Sequence, residues 1–307
     1  MKPYFKSAIT ALIITGLVLT LTIGGLAPHL PRVAGSADIS EHRVFSWPGA
    51  ERLVLDNPDG YIGVQTYGGD TITAEADIKA YFVEPDAAAG AQSYVTSLVS
   101  AETRDGVLHV QTEPGERPDG LELLVFYTIK VPVGTNLEIA SANGNVWIKE
   151  GCGDVNVQGS NSDIQIENPL GAVAAKSLNG RIKVRGAPQG CDVNTVNGSV
   201  FVEARGGTLK ADTINGRIYA WLLDAAVEGC ELTSQNGTIR LMVDDECSAQ
   251  VEARTKRGTV NVKSDFPVDT SSGVRLRRHL RGTIGNGHTE LSMDTLNGNI
   301  WIARSDL

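Results

Sequence analysis

A group of four arginines near the carboxyl end is the most unusual set of potentially reactive or binding side chains in the sequence. They lie in the segment RLRRHLR and are Arg275, Arg277, Arg278 and Arg281, in a chain of 307 residues with a formal net charge of −9. Guanidinium groups bind phosphate and carboxylate through paired N–H donors, so the cluster could bind an anionic polymer or an acidic protein. Charged side chains on an edge strand also prevent sheets from pairing end to end. The sequence leaves both interpretations open.

The four cysteines are not arranged as a metal-binding motif, because no two of them have C-x-x-C spacing. They are Cys152, Cys191, Cys230 and Cys247. We predict buried free thiols. A Cys230–Cys247 disulfide is the alternative, since disulfides are common in exported chains.

Histidines and carboxylates give no catalytic pattern either. The histidines do not have the spacing of metal ligands and are His29, His42, His109, His279 and His288. Polysaccharide-cleaving β-helix enzymes need clustered carboxylates, whereas Asp154, Asp192 and Asp212 fall in different columns of the repeat described below. We therefore predict no catalytic residue, no cofactor and no metal ion. The acidic balance also argues against nucleic acid as a partner, because nucleic-acid binders carry a basic stripe.

These residues lie within a repeat of 18 residues. Asparagines recur at that spacing at Asn143, Asn161, Asn179, Asn197 and Asn215; Asn236 and Arg257 follow at intervals of 21, and Asn297 at 40. Glycine comes next in every unit except at Ser162, at Gly144, Gly180, Gly198, Gly216, Gly237, Gly258 and Gly298. We attribute the Asn-Gly pairs to corners with left-handed backbone, which both residues tolerate. Stacked Asn side chains are expected to hydrogen-bond to each other.

Two short apolar alternations accompany each corner, such as Val146 and Ile148 after one Asn and Val155 and Val157 before the next. Period two indicates strands with one buried face. A unit this short cannot bury that face alone, whereas stacked units can. We therefore predict an all-β fold, a parallel β-solenoid with coils about 4.8 Å apart. An antiparallel meander is the alternative, because Asn-Gly is also a common hairpin turn.

Neighbouring coils would bring the outward side chains of Phe201 and Tyr219 together, so that their rings could stack. Exposed aromatic residues commonly contact carbohydrate or protein, which makes this pair a second candidate for partner binding. Stacking that only supports the ladder, or coverage by the capping region, is the structural alternative.

Composition divides the chain into an N-terminal segment (1–37), a β-rich capping region with one helix (38–135) and the Asn-Gly repeat (136–307). Asp59-Gly60 repeats the corner motif and predicts a first coil inside the capping region. An apolar pattern within 84–101 predicts the helix. The long interval between Gly258 and Asn297 predicts an insertion or an irregular pair of coils.

The N-terminal segment predicts a single transmembrane helix. No charged side chain lies between Ser7 and Pro28, and Lys2 and Lys6 precede this run. The lysines place the N-terminus in the cytoplasm and the bulk of the chain outside it. A cleaved signal peptide, which would leave a secreted or periplasmic protein, is the alternative. Beyond residue 37 the chain carries 24 basic and 36 acidic residues, a net charge of −12.

The sequence resembles a family of bacterial envelope proteins with β-strand repeats that are known as putative adhesins and otherwise as a domain of unknown function. The similarity lies in YTIKVPVGTNLEIASANGNVWI (127–148), in the recurring N-G-x-[IV]-x-[VI] and in GTIGNGHTELSMDTLNGNIWI (282–302). The resemblance implies an extracytoplasmic, membrane-tethered β-solenoid and supplies no catalytic residue.

We therefore predict a non-enzymatic, adhesin-like binding module of the cell envelope, with the membrane and an unknown envelope polymer or protein as partners. A structural or regulatory envelope component, of a stress-response type, is the alternative. A carbohydrate-active β-helix enzyme is the third hypothesis.

Overall fold

Side chains alternate between buried and exposed positions along most strands, as the period-two pattern predicts. The computed structural model describes residues 38–82, 90–112, 115–224, 226–263 and 266–305. Within these ranges no helix is both long and apolar enough to cross a membrane. The predicted transmembrane segment and His29 lie outside the described residues.

The N-terminal region contains β1 (Ile39–Pro48), β2 (Arg52–Tyr67), β3 (Thr71–Phe82), α1 (Ala91–Ser97), β4 (Val99–Arg104), β5 (Val107–Thr112) and β6 (Leu121–Pro132). The repeat begins with β7 (Asn136–Asn143), β8 (Val146–Ile148), β9 (Val155–Asn161), β10 (Ile164–Glu167), β11 (Val173–Asn179), β12 (Ile182–Ala187), β13 (Cys191–Asn197) and β14 (Val200–Ala204). It continues with β15 (Gly207–Thr213), β16 (Ile218–Leu222), β17 (Val227–Ser234), β18 (Ile239–Val243), β19 (Ala249–Thr255) and β20 (Val260–Val262). The last strands are β21 (Asp269–Leu276), β22 (His279–Ile284), β23 (Thr289–Thr295) and β24 (Ile300–Arg304).

Each coil adds one strand to each of two facing sheets. The back sheet holds the strand that precedes each corner, such as β11 and β13, and the front sheet holds the strand that follows it, such as β12 and β14. Pairing between coils is parallel and keeps equivalent residues opposite each other, as with Asn179 and Asn197. The solenoid-like architecture is confirmed, and the antiparallel meander is wrong for the repeat.

The core lies between the two sheets. Fully buried side chains from both sheets form this core. The front sheet contributes Ile182, Val200, Ile218 and Ile239, and the back sheet contributes Ala175, Val193, Ala211 and Leu232. Burying such side chains contributes roughly 1.5–3 kcal/mol each for the larger ones. Because every coil uses the same positions, the core is continuous from one coil to the next.

The first coil is a single long strand, β2. Residues 52–59 pair with β5 and β7 in the back sheet, and residues 60–67 pair with β6 and β8 in the front sheet. The corner predicted at Asp59-Gly60 is therefore confirmed. Outside β2, antiparallel strands β3 and β1 extend the front sheet and β4 extends the back sheet. The predicted helix is short, and residues 83–89 before it lie outside the described ranges.

The order of the coils in the stack departs from their order in the chain at the carboxyl end. Strands β23 and β24 lie between the coil of β17–β18 and the coil of β19–β20. The interval after Gly258 contains an antiparallel hairpin, β21–β22, which pairs with the outer side of β19. The coil of β23 and β24, which comes last in the sequence, is thus the second from the end of the stack.

All four cysteines are free thiols. Cys152, Cys191 and Cys230 are buried and Cys247 is partly buried, so the predicted buried thiols are confirmed for three of the four. The alternative disulfide between Cys230 and Cys247 is absent. Burial raises the pKa of Cys152 to about 12 and that of Cys247 to about 11, which keeps both thiols protonated and unreactive near neutral pH.

Candidate functional site

The Asn side chains of the corners form a continuous hydrogen-bonded ladder. Each Nδ2 donates to the side-chain oxygen of the preceding coil, as in Asn197 to Asn179 at 2.8 Å and Asn215 to Asn197 at 2.8 Å. The ladder begins with Asn143 donating to Asp59 at 2.8 Å. It ends with Asn297 donating to Asn236 at 2.7 Å, which passes over Arg257 because of the altered coil order. The predicted amide stacking is confirmed.

The corner glycines are needed mainly for close packing, and the explanation from left-handed backbone is wrong for most of them. Only Gly60 (φ 134°) and Gly144 (φ 150°) among the corner glycines have positive φ. At the other corner glycines an added Cβ would collide with a corner carbonyl of the neighbouring coil, which belongs to Ser162 in the case of Gly180 and to a glycine in the other cases. A Cβ on Gly216 would lie 2.6 Å from the carbonyl carbon of Gly198 and would overlap its oxygen.

A buried ladder of hydroxyl groups satisfies these carbonyl oxygens. Thr195, Thr213 and Ser234 donate to the oxygens of Gly180, Gly198 and Gly216 at 3.0–3.1 Å. Sequence reasoning missed this second ladder although its pattern is visible. Serine or threonine stands two residues before the corner position in seven of eight units, at Ser141, Ser177, Thr195, Thr213, Ser234, Thr255 and Thr295.

One unit of the repeat differs from the others both at the corner glycine and at the hydroxyl position two residues before the corner Asn. Ser162 replaces the corner glycine, and Gly159 stands where the others have a hydroxyl. Ser162 is fully buried and its Oγ donates to the carbonyl oxygen of Ser141 at 3.1 Å. A Cβ on Gly159 would lie 2.8 Å from the Cβ of Ser162. In this coil the hydroxyl-bearing residue and the glycine have therefore exchanged positions.

We expect Thr213→Val to lower the free energy of unfolding by about 1–3 kcal/mol, because the valine has the same shape but leaves the buried carbonyl of Gly198 without a donor. Chemical denaturation of the purified chain measures this change. Thr208→Val on the same strand is the matched control, since Thr208 is exposed. Equal stability of the two variants would contradict the role of the hydroxyl ladder.

Phe201 and Tyr219 stack on the front sheet, as their spacing predicts. Their ring centroids lie 4.9 Å apart with planes 5° from parallel. Arg181 lies over Phe201 at 5.9 Å and Arg240 lies over Tyr219 at 5.5 Å. Neighbouring groups therefore already contact the ring faces that a sugar would use. A direct role of this pair in binding stays a prediction, and the contacts favour support of the ladder.

Two tryptophans in the same outward column are more exposed. Trp147 on β8 and Trp301 on β24 keep 38% and 45% of their surface in contact with solvent. The ammonium group of Lys149 lies over the Trp147 ring, 5.1 Å from its centroid. Strand pairing places them six coil steps apart, which is about 29 Å at 4.8 Å per coil. The column between them reads Gln165, Lys183, Phe201, Tyr219 and Arg240. The front sheet thus displays an aromatic and basic row with an indole near each end.

The four clustered arginines lie on the hairpin at the end of the stack. Arg277 and Arg278 form its turn. Arg275 is opposite the buried Leu280, whereas Arg281 is adjacent to Leu280 in the chain and therefore points to the other face. All four side chains are exposed. The structure places them around one hairpin and does not bring them into one pocket.

The fold adds two basic residues that sequence reasoning did not connect with this cluster. The amides of Thr255 and Val260 donate to the carbonyls of Arg278 and Arg277 at 3.0 and 2.9 Å. These bonds hold the hairpin turn against the corner that carries Lys256 and Arg257. We call the six residues Lys256, Arg257, Arg275, Arg277, Arg278 and Arg281 the basic tip.

Of the three carboxylates weighed for catalysis, Asp192 and Asp212 lie on the adjacent strands β13 and β15, offset by two residues, and Asp154 lies in the turn before β9. Burial raises the pKa of Asp212, an effect that the nearby Lys210 opposes. Asp154 is used structurally, since its Oδ1 accepts the amide of Ala172 at 2.9 Å. The described histidines are exposed or partly exposed, at His42, His109, His279 and His288. Throughout the described ranges, no group of three or more histidine, cysteine or acidic side chains could hold a metal ion.

Two parallel sheets linked by Asn-Gly corners define a β-solenoid-like protein. Residues 126–303 match the family model described as Toastrack DUF4097. Because this match covers more than half of the chain, the protein belongs to that family. The resemblance drawn from the sequence is thereby confirmed.

Solved structures of distant proteins are similar to this chain. A putative adhesin from Bacteroides fragilis shares 11% identity over 87% of this chain and 98% of that one, with a TM-score of 0.47. A putative adhesin from Parabacteroides distasonis shares 13% identity over 87% and 98%, with a TM-score of 0.42. A putative cell adhesion protein from Clostridium sporogenes shares 11% identity over 87% and 99%, with a TM-score of 0.29. No match was found among curated proteins.

Proposed function

We propose that this protein is a non-enzymatic, adhesin-like module that binds the cell wall from the outer side of the cytoplasmic membrane. In this proposal the apolar N-terminal segment tethers the chain, and the stacked coils present a rigid surface outside the cell. The exposed row on the front sheet, with Trp147 and Trp301 near its two ends, is the observation that supports it.

Several physical features suit that row to binding. Tryptophan supplies a large contact area at low cost in conformational entropy and is enriched among the residues that dominate binding energies. The row is built on strands whose backbone is paired on both sides, so its spacing is preorganised before contact. Basic residues between the indoles, Lys183 and Arg240, favour an acidic partner.

We expect the double substitution Trp147→Ala and Trp301→Ala to weaken binding to bacterial cell-wall sacculi by about tenfold or more. The full-length chain, purified in detergent, is sedimented with sacculi over a range of concentrations. Leu170→Ala with Ile214→Ala is the matched control, since both are exposed apolar residues outside the front sheet.

Unchanged binding by the tryptophan variant would contradict the proposal, and equal losses in both variants would show that the effect is not specific to the front sheet. A variant that binds normally but alters envelope integrity in cells would favour the structural or regulatory alternative. Release of reducing ends from polysaccharide by the unmodified chain would refute the non-enzymatic assignment.

A further inference from the structure

The end of the stack differs in charge from the rest of the exported chain. Residues 249–284 carry eight basic and three acidic side chains. The remainder of residues 38–307 carries 16 basic and 33 acidic ones. A concentrated positive region at one end of an acidic body attracts a polyanion to that end and repels it from the other surfaces.

The basic tip is also free of internal partners. All six side chains are exposed, and within the described ranges none of them forms an ion pair or a side-chain hydrogen bond. By contrast, the neighbouring Arg254 and His279 both contact Glu252. Unpaired, clustered guanidinium groups are free to donate paired hydrogen bonds to an external anion.

We propose that the basic tip binds a flexible phosphate-bearing polymer of the cell envelope. The inference rests on the cell-wall binding role proposed above and names a second contact for it. Phosphate is favoured because the planar guanidinium donates two parallel hydrogen bonds to it.

Flexibility follows from the hairpin geometry. Arg275 and Arg281 point to opposite faces, with Arg277 and Arg278 at the turn between them. A flexible chain can follow the hairpin around the turn and contact all four arginines. A stiff duplex with its charges on a straight axis reaches only one face, and so contacts fewer of them.

The test measures binding of the full-length chain to fluorescent poly(glycerol phosphate) at several salt concentrations. We expect Arg277→Gln with Arg278→Gln to weaken binding by about tenfold at low salt. Two lost phosphate contacts also reduce the slope of log K against log salt by about 1.4. Arg205→Gln with Arg217→Gln is the control with the same change of net charge, on exposed arginines away from the tip. Both pairs are compared after thermal melting has shown that they are folded.

Three results would overturn the proposal: no binding by the unmodified chain, equal losses in the tip and control variants, or equally tight binding of duplex DNA. A tip variant that still binds sacculi normally but loses poly(glycerol phosphate) supports the tip proposal and shows that sacculus binding uses another surface. If the tryptophan variant binds sacculi normally while the tip variant loses the polymer, the front-sheet proposal fails and the tip proposal stands.

Discussion

Replacing Gly216 by alanine is expected to lower the free energy of unfolding by more than about 4 kcal/mol, enough to prevent folding of the neighbouring coils. The added methyl group would overlap the carbonyl of Gly198, which is backbone and cannot rotate away. Separating the two coils would also break the hydrogen bond from Thr213 to that carbonyl. Thermal and urea denaturation, together with soluble yield, measure the effect.

Gly229→Ala is the matched control. Gly229 lies on β17, has no positive φ, and a Cβ there would meet its nearest neighbour at an ordinary distance of 3.7 Å. We expect this variant to melt close to the unmodified chain. If Gly216→Ala melted there as well, the explanation of the corner glycines by close packing would be incorrect.

Gly159→Ser is the second substitution with a large expected effect, a loss of about 3 kcal/mol from overpacking against Ser162. Adding Ser162→Gly to it restores the usual arrangement of a hydroxyl two residues before the corner and a glycine after it. We therefore expect the double variant to recover more than half of the lost stability. A double-mutant cycle over the four chains measures the coupling between the two positions.

The outcome of the rescue separates two explanations of the exceptional coil. A large coupling free energy between the two positions would mean that glycine at 159 compensates for serine at 162. Additive effects would mean that each residue is independently suited to its place, and the compensation would be refuted.

The repeat made the coils and their register predictable from sequence. Constant spacing of Asn179, Asn197 and Asn215 leaves one parallel register that keeps both apolar alternations inside. The physical role of the corner glycines could not be predicted from the sequence, because a left-handed corner and a close approach of two backbones both require glycine. The structure distinguishes the two explanations through the φ angle of each glycine and the position of the neighbouring carbonyl.

The altered order of the last coils could not be predicted, because neighbouring coils are interchangeable in pattern. Leu291 and Met293 occupy the same inward positions as Val251 and Ala253, so either strand fits against β17. The same ambiguity hid the basic tip, whose members from two chain segments meet only once the hairpin folds back. The arginine cluster is recognisable as a run of charge, whereas Lys256 and Arg257 stand at a corner position of the repeat.

The position of the β23–β24 coil in the stack has a consequence for how the protein folds during synthesis. The chain emerges from its N-terminus, so β19 and β20 appear before the strands that will separate them from β17 and β18. Until residues 289–304 are synthesised, β19 and β20 lack the strands with which they pair on their inner sides. During that time β19 can pair incorrectly with β17. Completion of this part of the stack therefore waits for residues 289–304, and a product released before them retains two open edges. Synthesis through β24 and closure of these two edges are thus linked, so copies that lack β23 and β24 are the ones exposed to aggregation and proteolysis.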